Sequence, residues 1–189
     1  MLNKKSTLYI NIILYIIYIG SIGFFAYTKS FGNIGLSLSC LIGTFILSIF
    51  NKKYLAQLND RLYITLVLFI MFSSLFGSCY RFYDIINHYD DFLHIWSGFI
   101  GVSVAYSLLI SFNKRDIVNN INKYFIAIYI FVFAIALAGL WEIIEFSMDT
   151  LFGLHTQAGG LTDTMIDMID GLLGAIIMTP FTMKKIKKM

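Results

Sequence analysis

The sequence predicts an all-α, polytopic membrane protein: a six-transmembrane-helix bundle whose N- and C-termini are both cytoplasmic. Composition, the lengths of the apolar segments and the placement of the basic residues predict this class. Of the 189 residues, 58% are hydrophobic and only 13% are charged. A soluble domain carries about 25% charged residues. The polar residues are therefore too few to cover a water-exposed surface, and the lipid bilayer is the expected solvent.

Six segments are long and apolar enough to supply the about 20 residues that a spanning helix needs. They run approximately over residues 8–28, 33–50, 62–79, 92–112, 124–146 and 164–182. The first exceeds the roughly 7–15 residues of a signal-peptide core, so it is predicted to remain as a helix. No repeat or linker divides the chain, and residues 1–189 are predicted to form a single integral membrane domain.

Basic residues alternate between the two sides of the predicted helices. Twelve of the fourteen Lys and Arg residues fall in the two tails and in the second and fourth loops, whereas Lys29 and Arg81 fall in the loops between. Cytoplasmic loops carry an excess of Lys and Arg, so both termini are predicted to be cytoplasmic. The basic residues form no long basic face, which argues against a nucleic-acid partner and leaves membrane lipid as the expected partner.

Four of the eleven acidic residues, Glu142, Glu145, Asp167 and Asp170, fall inside predicted helices. A charge at mid-bilayer costs at least about 2.5–3.5 kcal/mol, so such residues pair, line a cavity or bind an ion. Helix rise places Asp167 about 6 Å and Asp170 about 10 Å below the start of the sixth helix. His94 begins the fourth helix. Three helices are therefore predicted to bring acids and a histidine together in the outer part of the membrane.

The spacings place these side chains on shared helical faces. Clustered carboxylates repel each other unless a proton, a cation or a basic side chain neutralises them. A divalent metal of unknown identity is therefore predicted, with Mn, Fe or Zn favoured if an imidazole takes part and Mg or Ca if only carboxylates do. The alternative is a hydrogen-bonded network of protonated acids. The candidate ligands are Asp90, His94, Glu142, Glu145, Asp163, Asp167 and Asp170.

Three stretches resemble the YjdF-like family of bacterial membrane proteins. They are YDDFLHIWSG at 89–98, WEIIEF at 141–146 and TQAGGLTDTMIDM at 156–168. The resemblance covers roughly the second half of the chain, and the first three helices match in hydropathy alone. It implies a multi-pass protein of the bacterial inner membrane, and it implies that the family positions are Asp90, His94, Glu142, Glu145, Gln157, Asp163 and Asp167.

The sequence departs from that family at two places. Asp91 stands where the relatives usually have lysine, and the loop between Gln157 and Asp163 is one residue longer. The chain also has a weaker similarity to VanZ-like membrane proteins. Asp91, His155 and Gln157 are further candidate polar residues of the site.

Three functions remain open from the sequence. The first is a metal-dependent enzyme on a lipid or envelope substrate, in which Glu142, Glu145 or Asp167 acts as the catalytic carboxylate. The second is a proton- or cation-coupled transporter, which buried acids with few basic partners also suit. The third is a structural or accessory membrane protein in which the acids form a packing network.

Overall fold

The computed structural model describes residues 4–53, 60–113, 115–157 and 159–186, and every regular element in these ranges is helical. In chain order they are α1 (Lys4–Tyr27), α2 (Phe31–Lys53), α3 (Asp60–Ile70), a π-helix (Met71–Cys79), α4 (Phe82–Ile85), α5 (Tyr89–Phe112), α6 (Arg115–Asn120), α7 (Lys123–Phe152) and α8 (Leu161–Ile186). The predicted all-α class is confirmed. Lys114, Lys187 and Lys188, which enter the orientation argument, lie outside the described residues.

Within the described ranges, six helical stretches are long and apolar enough to cross a membrane, as predicted. They are Ser6–Tyr27, Phe31–Asn51, Asp60–Cys79, Tyr89–Phe112, Lys123–Phe152 and Leu161–Lys184. The short helices α4 and α6 lie between them and were not predicted.

The boundary of α7 differs most from its prediction. Hydropathy falls after residue 146, but the helix continues to Phe152. It ends where the backbone of Gly153 takes a left-handed conformation, with φ 65°, and where the Gly153 amide donates to the carbonyl oxygen of Asp149. This is the usual glycine ending of a helix. The polar residues of the last turns therefore belong to α7 and not to a loop.

The chain divides into two compact units, Met1–Tyr89 and Asp90–Met189. The prediction of one integral membrane domain stays a prediction. In the first unit, α1 packs against both α2 and α3. The core of that unit is apolar, with residues such as Leu14, Val67 and Leu75 almost fully buried.

Polar side chains bond across the helices of the first unit. The Tyr63 hydroxyl donates to Asn11 Oδ1 at 2.7 Å, and Asn11 Nδ2 donates to Ser48 Oγ at 3.2 Å. On other turns of α1 and α2, the Thr44 hydroxyl donates to Tyr18 Oη at 3.3 Å. Because lipid offers no water, hydrogen bonds of this kind hold membrane helices together.

The third span combines two helical geometries. Sequence periodicity predicts a single helix over 62–79, but the chain winds as a π-helix from Met71 onward. The Tyr80 amide accordingly donates to the carbonyl oxygen of Leu75, five residues earlier. At Gly77 an added Cβ would lie 2.8 Å from Cζ of Tyr83, so the ring packs directly on the backbone there. The apolar pattern carries no signal for this wider winding.

In the second unit, small residues let α5, α7 and α8 approach closely. A Cβ added at Gly98 would overlap the backbone carbonyl oxygen of Gly171. One added at Gly101 would lie 3.0 Å from Cα of Ala134, and one at Gly171 would lie 3.0 Å from Cβ of Ala138. Helix contacts in membranes use small residues in this way because backbones can then come close.

Candidate functional site

The close contacts of the second unit position three polar side chains. Each contact residue stands four positions, about one helical turn, from a predicted site residue: Gly98 from His94, Gly171 from Asp167, and Ala138 from Glu142. Residues one turn apart share a helical face. Helix packing at the small residues therefore brings His94, Asp167 and Glu142 together on the adjacent turn.

His94 lies at the centre of this cluster. Its Nε2 atom is 3.4 Å from Asp90 Oδ1 and 3.6 Å from Asp167 Oδ1. Its Nδ1 atom is 3.9 Å from Glu142 Oε1. The side chain of Asp90 is 40% exposed, whereas those of the other three are 11% exposed or less. Carboxylates thus face both ring nitrogens, and the cluster opens at Asp90.

The geometry around Nε2 fits a small divalent cation. Asp90, His94 and Asp167 each offer one ligand atom, and these atoms lie within 4.8 Å of one another. Nitrogen and oxygen ligands bind such ions at about 2.0–2.2 Å, which places neighbouring ligands roughly 3.0–3.6 Å apart. The two separations from Nε2, 3.4 and 3.6 Å, fall in that range. They exceed the about 2.7–2.9 Å of a charge-assisted hydrogen bond.

The lysines of α7 and α8 lie far from these carboxylates. Lys123 begins α7, and Lys184 lies near the end of α8. Helix rise puts Lys123 about 28 Å from Glu142 and Lys184 about 26 Å from Asp167 along the helix axes. Neither ammonium group can neutralise the carboxylates at that distance, and among the described side chains of α5, α7 and α8 the nearest basic group is the His94 imidazole.

Glu142 carries a second sign of a ligand. Its side chain is 5% exposed. Its Oε2 atom is buried and has no hydrogen-bond partner among the described residues. Buried polar atoms in native proteins are nearly always paired, so an unpaired one points to a proton or ligand at that atom. Glu142 therefore belongs to the same polar cluster as His94 and Asp167, although its carboxylate is not one of the three grouped ligand atoms.

Glu145, a predicted ligand, is engaged elsewhere. Trp141 Nε1 donates to Glu145 Oε1 at 2.8 Å, within the same helix. The backbone carbonyl oxygen of Glu145 also accepts from the Thr156 hydroxyl at 3.2 Å. Glu145 lies about two turns before the end of α7, which continues to Phe152. Its predicted role as a ligand or base stays a prediction.

The remaining predicted ligands surround the group of three without joining it. Asp163 lies in the first turn of α8, which starts after Gly160, so neither Asp163 nor Thr162 is the residue that caps this helix. Asp170 is buried about one turn beyond Asp167. Asp91 is partly buried and neighbours Asp90 in the first turn of α5. Their roles in metal binding stay predictions.

Asp149 organises the loop between α7 and α8. Its Oδ1 atom accepts from the Thr156 amide at 2.8 Å and from the Thr156 hydroxyl at 2.6 Å, and its Oδ2 atom accepts from the Gln157 amide at 3.0 Å. His155, a predicted site residue, is exposed in this loop. The loop bonds therefore hold Gln157 in place and leave His155 outside the cluster.

The side chain of Gln157 bonds to α8 and lines a groove between α7 and α8. Its Nε2 atom donates to the Thr164 hydroxyl oxygen at 2.7 Å. Both residues line a cavity of about 890 Å³ between α7 and α8. Glu142 also lines this cavity, which is an open groove, and its Oε1 atom faces His94. Glu142 therefore joins the groove to the His94 cluster. Thr164 was not predicted, because a threonine inside a helix carries no distinctive sequence signal.

The six spans and the buried imidazole–carboxylate cluster define the class: a multi-pass helical membrane protein with a polar site inside its second unit. The chain belongs to the DUF2238 family of predicted membrane proteins, which it matches over residues 3–188.

Comparison with single proteins agrees with the family match. The chain is similar to an uncharacterized protein of Thermotoga maritima, with 26% identity over 145 residues, covering 76% of this chain and 73% of that protein. No solved structure matches. The family-level prediction is confirmed, and the weaker VanZ-like similarity stays a prediction.

Proposed function

We propose that this chain binds a divalent cation through Asp90, His94 and Asp167 and acts as a metal-dependent enzyme on a lipid or envelope substrate. The observation that carries the proposal is the spacing around His94 Nε2, which suits ligands of one ion better than hydrogen bonds between them. One imidazole with two carboxylates is a donor set for Mn, Fe or Zn. When bound, the cation would polarise an oxygen atom of the substrate or of water.

Glu142 supplies the base in this proposal. Its Oε1 atom lies 3.9 Å from His94 Nδ1, outside the set of three ligands, and its Oε2 atom is buried. A carboxylate next to a polarised oxygen can accept the proton that this oxygen loses. Nε2 of His94 faces the ion in this proposal because Asp90 and Asp167 lie on that side of the ring, and Glu142 on the Nδ1 side helps to orient the imidazole.

In this proposal the protein lies in the bacterial cytoplasmic membrane. Both termini are in the cytoplasm, and the His94 cluster lies toward the outer face of the membrane. The alternation of basic residues supports that orientation. The groove between α7 and α8 supports a substrate that comes from the bilayer, since Glu142 lines the groove and approaches His94.

Elemental analysis tests the proposal directly. The protein is purified in lipid nanodiscs without chelators, after growth with added Mn, Fe and Zn. The expected result is close to one ion per chain in the wild type and loss of the ion in His94→Ala and Asp167→Asn. Asp163→Asn is the matched control, because Asp163 lies one turn from Asp167 but outside the group of three. It should keep its ion.

An ion-free wild type that folds and inserts normally would overturn the metal proposal. The carboxylates would then hold protons, and a proton-coupled transporter would become the better hypothesis. Equal loss of metal in Asp163→Asn and Asp167→Asn would also overturn the assignment of the three ligands.

A further inference from the structure

We propose that the groove between α7 and α8 binds an uncharged lipid with a hydroxyl headgroup, whose chain lies in the groove and whose hydroxyl reaches Glu142. The inference rests on the proposed function for the role of Glu142, and it adds the class of substrate and its route. The groove walls are Ala136, Gly139, Leu140, Ile143, Phe146, Leu161 and Met168, with Glu142, Gln157 and Thr164 as the polar lining.

The walls are suited to a hydrocarbon chain that enters from the side. Ile143 is 62% exposed, Phe146 58% and Leu161 79%, so the groove is open along its length. The wall residues Ala136, Gly139 and Leu140 precede Glu142 in the candidate span Lys123–Phe152, where lipid is the expected solvent for a hydrocarbon chain. A volume of about 890 Å³ lies in the range of about 300–1,000 Å³ that ligand sites show.

The polar lining selects the headgroup. Among the residues that the structure describes, it consists of a carboxylate, an amide and a hydroxyl, with neither Lys nor Arg. Recognition of a phosphate would call for Arg, Lys or several backbone amides. A phosphate would instead meet the Glu142 carboxylate, which repels it. A hydroxyl headgroup can donate to Glu142 and accept from the second N–H of the Gln157 amide.

Glu142 joins the groove to the cation site. It is a groove-lining residue whose Oε2 atom is buried and without a hydrogen-bond partner among the described residues. Its Oε1 atom faces His94. A lipid hydroxyl bound at this carboxylate would therefore lie on the Nδ1 side of the imidazole whose Nε2 atom faces the proposed cation.

Photo-crosslinking in nanodiscs tests the inference. The probe is a dioleoylglycerol analogue with a diazirine in one acyl chain, and labelled peptides are identified by mass spectrometry. Labelling should saturate, should map to the walls formed by α7 and α8, and should be displaced by dioleoylglycerol but not by dioleoylphosphatidylglycerol.

Two glycines give a matched pair of variants. At Gly139, on the groove wall, an added Cβ would meet Met168 Cε at 3.8 Å, whereas at Gly20 on α1 nothing lies within 4 Å. Gly139→Leu should fill the groove and weaken probe binding about tenfold or more. Tenfold corresponds to about 1.4 kcal/mol of binding free energy. Gly20→Leu should leave binding unchanged.

Cation content in the same samples separates this inference from the proposed function. Gly139→Leu should keep its cation and lose the lipid probe, and His94→Ala should lose its cation and keep the probe. Labelling that does not saturate, or that spreads equally over α1 and α2, would overturn the inference. Displacement by dioleoylphosphatidylglycerol would overturn it as well.

Discussion

Gly98 of α5 lies directly against the backbone carbonyl of Gly171 of α8, where no side chain would fit. The two glycines stand four residues after His94 and Asp167, respectively. The distance of 3.6 Å between His94 Nε2 and Asp167 Oδ1 is therefore set by backbone packing on the adjacent turn. The site is built on rigid helices, which hold ligands more accurately than loops do.

Gly98→Ala should separate α5 from α8 and weaken the cation site. The new Cβ would overlap Gly171 O and lie 2.9 Å from the Ala175 amide nitrogen, and backbone atoms cannot move aside as a side chain would. Overpacking of this kind costs about 1–3 kcal/mol. Thermal unfolding of the protein in detergent should show the loss, and metal analysis should show less bound cation.

Gly139→Ala is the control for that substitution. The nearest atom to its Cβ would be Met168 Cε at 3.8 Å, an ordinary contact. Replacing glycine by alanine inside a helix should then stabilise the protein by about 0.5–1 kcal/mol. If Gly98→Ala were as stable as Gly139→Ala, the close packing of α5 on α8 would not be what positions the site.

Glu142→Gln should stabilise the cation-free protein. The substitution keeps the shape of the side chain but removes a buried carboxylate whose Oε2 atom lacks a partner among the described residues. Leaving such an atom unpaired costs about 1–3 kcal/mol, and part of this should be regained. Chemical unfolding in the presence of chelator measures the change.

Glu145→Gln is the matched control for Glu142→Gln. The amide oxygen can still accept from Trp141 Nε1, so stability should change by less than about 0.5 kcal/mol. A clear loss of stability in Glu142→Gln would contradict this prediction. It would show that the Glu142 carboxylate stabilises the folded protein.

Asp149→Ala should loosen the loop between α7 and α8. It removes an acceptor of three hydrogen bonds of 2.6–3.0 Å from Thr156 and Gln157. Hydrogen bonds to a charged acceptor are shorter and stronger than neutral ones, so their loss should weaken the attachment of the loop. Hydrogen exchange at Thr156 and Gln157 should accelerate. Ser147→Ala, which removes a bond to Ile143 O inside α7, should leave this exchange unchanged.

The predicted orientation can be tested with single cysteines in a background without Cys40 and Cys79. His155 lies exposed in the loop after α7, and Asn120 lies exposed at the end of α6. His155→Cys should react with a membrane-impermeant maleimide on intact cells. Asn120→Cys should react only after the cells are opened. The reverse pattern would invert the topology and place the cluster on the cytoplasmic side.

Much of the fold follows from the sequence, because crossing a bilayer imposes a length and a polarity that hydropathy detects. The six spans were predicted for this reason. The extra turns of α7 were not, because Ser147 and Asp149 lower the hydropathy without breaking the helix. The π-helix at Met71–Cys79 was not predicted either, since it changes the winding and leaves the composition of the span as it was.

The site was predicted in part. Helix depth and direction predicted that His94, Asp167 and Glu142 lie at one level. The structure places carboxylate oxygens of Asp167 and Glu142 at 3.6 and 3.9 Å from the two ring nitrogens of His94. The position of Glu145 could not be predicted, because the indole of Trp141 competes for it within the same helix. The spacing of residues predicts which side chains share one face of a helix. Which of those side chains contact each other depends on how the helices pack.

The length of α7 determines the level at which the site lies. Its 30 residues span about 45 Å, about 15 Å more than the hydrocarbon core. The average tilt of about 20° shortens that length by only a few ångströms. With Lys123 at one interface, the hydrocarbon ends about 20 residues later, next to Glu142. In that placement the carboxylate would border the hydrated headgroup layer, and ions and protons would reach it from that layer without a pore.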